Sequence, residues 1–284
     1  MPDDTVNDFN RRIIEEFRAN RGRVGGPFEG ARLILLTTTG ARSGAPRTTP
    51  VGYLPDGADT VLVIASAGGA PRHPAWYHNL LAHPEVTVES GAFTYRARAE
   101  ALAGEERDRA FARAVEADPG WAAYQEKTRR VIPVVALREI PADGPPNINA
   151  GSIGEAIKVV HDAFRRELAL IRTEMGATGA GAPLGAQLRV NCLTFCHGLH
   201  NHHTGEDIAL FPFLSDRHPE AAPALARLRE EHERIAELVE DLRRAIDDPD
   251  PTLARAEVER LTKELEAHLT YEEEQLLPLL ETAG

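Results

Sequence analysis

The chain has 284 residues, 42% hydrophobic and 27% charged, with a formal net charge of -12. At roughly 100–200 residues per domain it is long enough for two cores, and its acidity argues against nucleic acid as a partner. It holds no apolar run near the ~18 residues of a membrane span, and Asp3-Asp4 replace the basic opening of a signal peptide, so a cytoplasmic protein is expected.

The first half reads as short elements. Phe9, Ile13, Ile14 and Phe17 recur at helical spacing, predicting an amphipathic helix that ends before Gly22. Arg11, Arg12 and Arg18 stand beside Glu15 and Glu16, so the helix is only modestly basic. Packing on its own domain is expected ahead of peripheral contact with a membrane where quinones reside. Runs at 33–39, 60–65, 86–88 and 131–137 are β-prone and bounded by Gly or Pro, with helical stretches near 74–83 and 104–130. The pattern is α+β around a mostly antiparallel sheet. Pro141, Gly144, Pro145 and Pro146 crowd a segment that neither helix nor central strand tolerates. A linker over 141–151 therefore separates domains at 1–140 and 152–284.

Beyond it the β signature vanishes. Helical periods over 151–175, 184–215, 218–247 and 251–281, separated by loops near 176–183 and 247–251, predict an all-α up-down four-helix bundle. Residues 1–140 hold 18 basic and 18 acidic side chains, while 141–284 hold 14 and 26 together with eight of the eleven histidines. Cys192 and Cys196 lie four apart in a helix, too close for the usual disulfide and wrongly spaced for a zinc knuckle, so they read as buried thiols.

Two stretches of this half repeat one another 66 residues apart: His202, Glu206-Asp207, Leu210-Phe211-Pro212 and His268, Glu272-Glu273, Leu276-Leu277-Pro278. Residues four apart share a helix face, so each copy aims an imidazole and a carboxylate into one space. His161, His203 and His232 extend histidine to every predicted helix. Carboxylates bridge paired irons and neutral imidazole suits Fe(II), so His161, His202, His203, Glu206, His232, His268 and Glu272 fit two non-haem irons better than one zinc. Glu273 stands as the alternative to Glu272, since one residue along a helix turns a side chain by about 100°. His197, His200 and His218 are not expected to be ligands. A structural bundle appended for dimerisation is the competing reading and predicts no stoichiometric metal.

These residues resemble the hemerythrin-like (HHE cation-binding) domain over about 152–281. In that family the two His-x-x-x-Glu helices supply bridging carboxylates, which the resemblance assigns to Glu206 and Glu272. Hemerythrin has a second histidine one turn after the first on its third helix; Ala236 stands there, and His203 is the replacement candidate. The resemblance implies a di-iron module that binds or senses dioxygen or iron.

In the first half, Thr38 to Pro50 is a turn of small residues carrying Arg42 and Arg47, whose forks suit a phosphate or carboxylate, with Ser43 and Thr48 hydroxyls beside them. Ala65 to Leu80 then runs from a strand through Gly68-Gly69 into a helix with Trp76 at its start, and glycines let a backbone approach a planar ligand closely. Together with Gly104 to Arg107, Tyr124 to Arg129 and Ile132 to Val135, these segments resemble the deazaflavin-dependent nitroreductase family over about residues 7–140. That family binds coenzyme F420 on a split β-barrel like that of flavin-binding oxidases. The resemblance implies that Arg42, Ser43, Arg47 and Thr48 hold the cofactor's phosphate and tail. It also implies that Ser66, Gly68, Gly69, Pro74, Trp76 and Asn79 frame the ring, and that Trp121 and Tyr124 stand over the acceptor. Ser43 and Ala45 replace lysines frequent in the family. FMN or haem is the alternative ligand.

The function implied is hydride transfer from F420H2 to a quinone or nitroaromatic acceptor, joined to a di-iron module. The competing class is a non-enzymatic oxygen- or iron-binding or redox-sensing protein whose barrel sequesters F420 or a flavin. A homodimer is compatible with either. Hydride is a two-electron parcel and iron takes single electrons, so exchange between the halves is not implied by their fusion.

Overall fold

The computed structural model describes residues 3–141, 147–177 and 184–281. Two compact units meet between residues 149 and 150. Residues 142–146 of the expected linker and 178–183 of the expected loop lie outside the described residues.

The first unit opens with α1 (Asp3–Ala19), followed by β1 (Leu33–Thr39), β2 (Pro46–Pro55), β3 (Thr60–Ile64) and α2 (Ala75–Ala82). Next come β4 (Glu85–Ser90), β5 (Phe93–Ala101), α3 (Gly104–Ala117), α4 (Gly120–Glu126), β6 (Val134–Glu139) and β7 (Asn147–Ile148). Antiparallel pairing in the order β4-β1-β2-β3-β6-β5, closed by β4 against β5, makes a six-stranded barrel, and β7 adds to the start of β5. Part of the expected linker, Asn147–Ile148, is thus a short strand paired to the barrel.

Continuous apolar runs such as Leu33–Leu36 arise because both faces of the strands are covered. Ile34, Leu36, Val63, Val135 and Leu137 point into the barrel with Trp76 and Leu80 of α2. Leu62, Ile64, Val134 and Ala136 point outward beneath Phe111 and Ala114 of α3. Leu33 and Leu35 meet Ile13 and Phe17 of α1, so the helix spends its apolar face on the barrel. Arg18 adds a forked bond to Glu89 at 2.8 and 2.6 Å.

Besides β7, two strands escaped the periodicity. Pro50 sits inside β2 and removes a ladder donor, which is tolerated because β3 pairs only with Tyr53–Pro55. In β5, Ala97 and Ala99 face inward between Arg96, Arg98 and Glu100, a composition of low β-propensity. The expected helix over 104–130 breaks at Asp118-Pro119, where the Gly120 amide donates to Asp118 Oδ1 at 2.8 Å.

The second unit consists of α5 (Ile153–Ala177), α6 (Ala186–Gly205), α7 (Phe211–Arg217), α8 (Ala222–Asp247) and α9 (Pro251–Glu281). A π-helical turn over Glu206–Leu210 joins α6 to α7, so the two run as one rod. The wider turn precedes Pro212, whose ring would crowd the carbonyl four residues back in a regular helix. Helix α5 starts in a capping box, with the Glu155 amide donating to Ser152 Oγ at 3.1 Å and the Gly151 amide to Glu155 Oε2 at 2.6 Å. Asp250 caps α9 ahead of Pro251. The rods pack in the cycle α5, α6, α8, α9.

Their core has three layers. A long apolar layer includes Ile171, Leu188, Phe195, Leu199, Ile235, Leu242, Val258 and Leu265; a short one holds Phe211, Leu214, Leu225, Leu228 and Leu276. Between them lie the histidines. Leu242, 1% exposed in the long layer, tests how far that layer carries the bundle. Leu242→Ala is expected to lower the unfolding free energy by about 2–5 kcal/mol in denaturant titration, with metal content unchanged.

Candidate metal centre and cofactor cradle

The middle layer is built almost entirely from groups that prefer water. His161 of α5, His203 of α6, Glu206 of the π turn, His232 of α8, and His268 and Glu272 of α9 are all buried, and His202 is nearly so. They form two groups, His161 with His202, Glu206 and Glu272, and His203 with His232 and His268, whose ligand atoms lie within 4.8 Å of one another. Each carboxylate touches both groups. Glu272 Oε2 is 3.5 Å from Nε2 of His161 and of His268, while the two oxygens of Glu206 lie 3.2 Å from His202 Nε2 and 3.6 Å from His232 Nε2. His203 stacks on His232 with ring centroids 4.1 Å apart.

The far edges of the rings are held by a second ring of carboxylates. His161 Nδ1 lies 2.8 Å from Glu273 Oε1, His268 Nδ1 lies 3.0 Å from Glu231 Oε2, and His232 Nδ1 lies 3.1 Å from Asp207 Oδ1. Arg165 donates to Glu273 at 2.7 Å and Arg227 to Glu231 at 2.8 Å. Glu273 therefore orients a ring, and Glu272 faces the centre. A carboxylate at Nδ1 fixes the tautomer that leaves Nε2 as the donor to a cation. Among the described residues, Nε2 of all five central histidines and all four oxygens of Glu206 and Glu272 are buried without a hydrogen-bond partner. Each such atom costs about 1–3 kcal/mol unless something satisfies it, and a pair of cations satisfies them together. The residues fit metal.

Burial holds the imidazoles neutral, the form that coordinates. It is the largest cause for all five, pressing His161 down to about 3 and His268 to about 4 and lowering His202, His203 and His232 as well. Burial, with the facing Glu272 carboxylate second, raises Glu206, and burial raises Glu272. Thiolate is not part of the donor set. Cys192 and Cys196 lie in the long apolar layer, and burial pushes the Cys196 thiol up to about 11. His197 meets Asn201, and His218 meets Glu220, both at the surface.

In the barrel, strand direction collects several loops at one end. β1 and β3 finish there while β2 and β6 begin there, which brings together the 40–45 hairpin, the 65–74 loop and the segment before β6. The hairpin closes through Gly40–Ala45 and Gly44–Gly40 backbone bonds of 2.9 and 2.8 Å. A Cβ on Gly40 would meet Ser43 Oγ at 2.5 Å and the Ala45 carbonyl at 3.2 Å, so a larger residue would have to turn the serine hydroxyl aside. Arg42 and Arg47 are exposed, and their guanidinium groups make no hydrogen bond or ion pair among the described residues. Ser43 Oγ accepts from the Ala45 amide at 3.3 Å. Thr48 and Thr37 hydroxyls pair at 2.7 Å across the hairpin. Asn79 accepts from the Ala41 amide at 3.0 Å and donates to Thr38 Oγ1 at 3.0 Å, so it anchors the arginine turn to α2.

After Ser66 the backbone makes a left-handed turn, with φ of 49° at Ala67, 64° at Gly68 and 82° at Gly69. A side chain on Gly69 would strike the Tyr124 carbonyl and Lys127 Cβ at 2.8 Å, so the turn abuts α4. Nothing lies within 4 Å of a Cβ built on Gly68. Half-buried Pro74 leads into α2 in extended conformation. Trp76, 7% exposed, packs inside the barrel. Trp121 and Tyr124 form an edge-to-face pair, centroids 6.0 Å apart, half-buried over the outer core. Three residues not singled out from sequence organise this end: Arg130, Gln125 and Arg107. They sit among other polar residues, Glu105 to Arg109 and Gln125 to Arg130, so no local pattern sets them apart.

The sequence model described as F420H(2)-dependent quinone reductase matches residues 9–139. An F420H(2)-dependent quinone reductase of Mycobacterium tuberculosis is 39% identical over 125 residues, 43% of this chain and 83% of that protein. The chain belongs to the F420H(2)-dependent quinone reductase family. That is an oxidoreductase family, and the match accounts for the barrel unit. The model described as hemerythrin HHE cation binding domain matches residues 152–280, the bundle. A solved structure titled F420-H2 dependent reductase (FDR-A) is 42% identical, covering 38% of this chain and 94% of that chain with a TM-score of 0.35.

The buried imidazoles of this quinone-reductase-family chain give its stability a sign with pH. Their folded values lie below the ordinary 6.5, at about 3 for His161 and about 4 for His268, so the unfolded chain takes up protons the folded one refuses. Their stabilisation is lost as pH falls below about 6.5. Glu206 and Glu272 are raised and act in the opposite sense above 4.5, but they are two against five. Chelator-treated protein should therefore show a falling Tm from pH 6.5 to 4.5 in thermal melts, and metal-loaded protein a smaller fall until the metal leaves.

Proposed function

We propose that the barrel unit oxidises F420H2 and reduces a quinone or nitroaromatic acceptor, and that the bundle unit holds two non-haem irons and binds or senses dioxygen or iron. The first part rests on the 39% identity to a mycobacterial quinone reductase along 83% of its length. It is supported by the free arginine pair and the left-handed glycine turn at one end of the barrel. When bound, the deazaflavin supplies hydride from C5. The chain's own residues bind and orient: Arg42 and Arg47 offer forked cations to phosphate and tail carboxylates, and Ser43 adds a hydroxyl. Gly68 and Gly69 present bare backbone to the ring, with Ser66 and Pro74 at the turn's edges, while Trp121 and Tyr124 supply an aromatic wall for a flat acceptor. Thr48, Asn79 and Trp76 hold these walls from behind. No nucleophile is needed, because positioning is the protein's contribution.

The second part rests on the nine unsatisfied nitrogen and oxygen atoms facing one space. An all nitrogen and oxygen donor set with two carboxylates, each reaching both histidine groups, suits paired iron better than a thiolate-seeking ion.

Two measurements test these readings. Purified protein mixed with F420H2 and menadione should oxidise the cofactor well above the protein-free rate, read as the return of the oxidised deazaflavin's visible absorbance. Arg42→Ala and Arg47→Ala should each raise the KM for F420H2 about tenfold, the loss expected for one charge-assisted contact, with kcat little changed. Binding of F420 without turnover of any acceptor would favour the sequestering protein instead. Anaerobically purified protein should carry two irons per chain by metal analysis, and His202→Ala or His268→Ala should lower the content to one or none.

A further inference from the structure

Arg130 is absent from the residues so far assigned to the cradle, yet its half-buried side chain makes three contacts with the glycine loop. Nη2 donates to the Ser66 carbonyl at 2.6 Å, Nε donates to the Ala70 carbonyl at 2.9 Å, and Nη1 lies 3.0 Å from His73 Nδ1. Ser66 and Ala70 are the two ends of the left-handed turn. We propose that Arg130 is the positioning residue of the cofactor cradle, a clasp that fixes the 66–70 turn against α4 so that F420 meets a preformed wall. This rests on the reading of the barrel as an F420 site.

The turn needs such a hold. Ala67 carries a side chain at a φ of 49°, a conformation that costs a non-glycine residue roughly 1–2 kcal/mol and persists only where the surroundings over-determine it. The local bonds of the turn, Gly69 to Ser66 at 3.0 Å and Ala70 to Ala67 at 3.1 Å, are short-range and close no more than one turn. The clasp reaches across 60 and 64 residues of sequence. Its own backbone is immobilised. Gln125 donates to the Arg130 carbonyl at 2.7 Å and accepts from the Ile132 amide at 3.0 Å, and Arg107 donates to the Ile132 carbonyl at 2.9 Å. A line of polar contacts therefore runs from α3 through α4 to the turn. On the turn's other side Gly69 abuts the Tyr124 carbonyl, so the same clasp sets the gap between the turn and the helix bearing Trp121 and Tyr124.

The geometry calls for a guanidinium. Two carbonyls and a ring nitrogen in different directions match a planar fork, whereas lysine offers one compact charge. Burial, followed by the nearby Arg130 cation, lowers the pKa of His73, which keeps the ring neutral and its Nδ1 an acceptor.

The test uses full-length protein as wild type, Arg130→Lys and Arg130→Met. Hydrogen exchange on the cofactor-free chain should show Gly69 and Ala70 amides exchanging at least tenfold faster in both variants, with sheet and bundle amides unchanged. Titration with F420 should give a dissociation constant raised at least tenfold, and turnover with menadione a KM for F420H2 raised by the same factor, while the menadione KM stays within twofold. Lysine should recover less than half of the lost affinity on a logarithmic scale. An F420 affinity within twofold of wild type in both variants overturns the proposal, whether or not the turn loosens. Should Arg130→Met lose protection throughout the barrel, Arg130→Lys decides by the same criteria. A wild type that fails to bind F420 sinks the reading of the barrel and the cofactor role with it, and the exchange of the turn amides then shows separately whether the clasp exists.

Discussion

The bundle is organised around a cost. Five imidazoles and two carboxylates occupy a core layer between two dry ones, where neutral polar atoms are expensive and bare charges more so. The surrounding structure lowers that cost in stages. Carboxylates at Glu231, Glu273 and Asp207 take the outer edge of three rings, Arg165 and Arg227 neutralise two of those carboxylates, and the apolar layers exclude water from above and below. Among the described residues, the atoms left unsatisfied in this layer are those aimed at the centre together with His232 Nδ1 and Asp207 Oδ1. In the folded chain these imidazoles and carboxylates are already gathered in one space, so a cation held there would need no large rearrangement of them.

The barrel solves a different problem. Its strands are covered on both faces by the interior packing and by α1 and α3, so their side chains serve stability and leave little for chemistry. Exposed arginines and left-handed backbone are carried instead by loops at one rim. The rim residues divide accordingly into those that face outward, such as Arg42 and Arg47, and those that tie the loops together, such as Asn79, Arg107, Gln125 and Arg130. The second class is as specific in geometry as the first.

Much of this was legible in the sequence, for identifiable reasons. The four rods of the bundle follow from long helical periods, and the shared face of His202 with Glu206 and of His268 with Glu272 follows from a spacing of four. Leu33–Thr39 and Val134–Glu139 follow from β-branched and leucine-rich runs. β2 was hidden because prolines that normally end a strand are tolerated where one edge lacks a partner, and β5 because its inward residues are alanines. The Asn79 amide is bonded to Ala41 and Thr38 and Trp76 packs in the barrel interior, contacts that helix position alone does not foretell. Arg130 was invisible because its value lies in carbonyls more than sixty residues away, and no local pattern records those.

The two histidine-bearing copies look alike in sequence and are not alike in space. After Glu272 the regular helix brings Leu276 inward four residues later, whereas after Glu206 the wide turn brings Phe211 inward five residues later and leaves Leu210 half-covered. Equal spelling thus conceals a slip of one residue in phase. The stretch between Glu206 and Phe211 is consequently constrained in length as well as in content: removing one residue would rewind the rod, and either the carboxylate or the phenyl ring would rotate out of its seat.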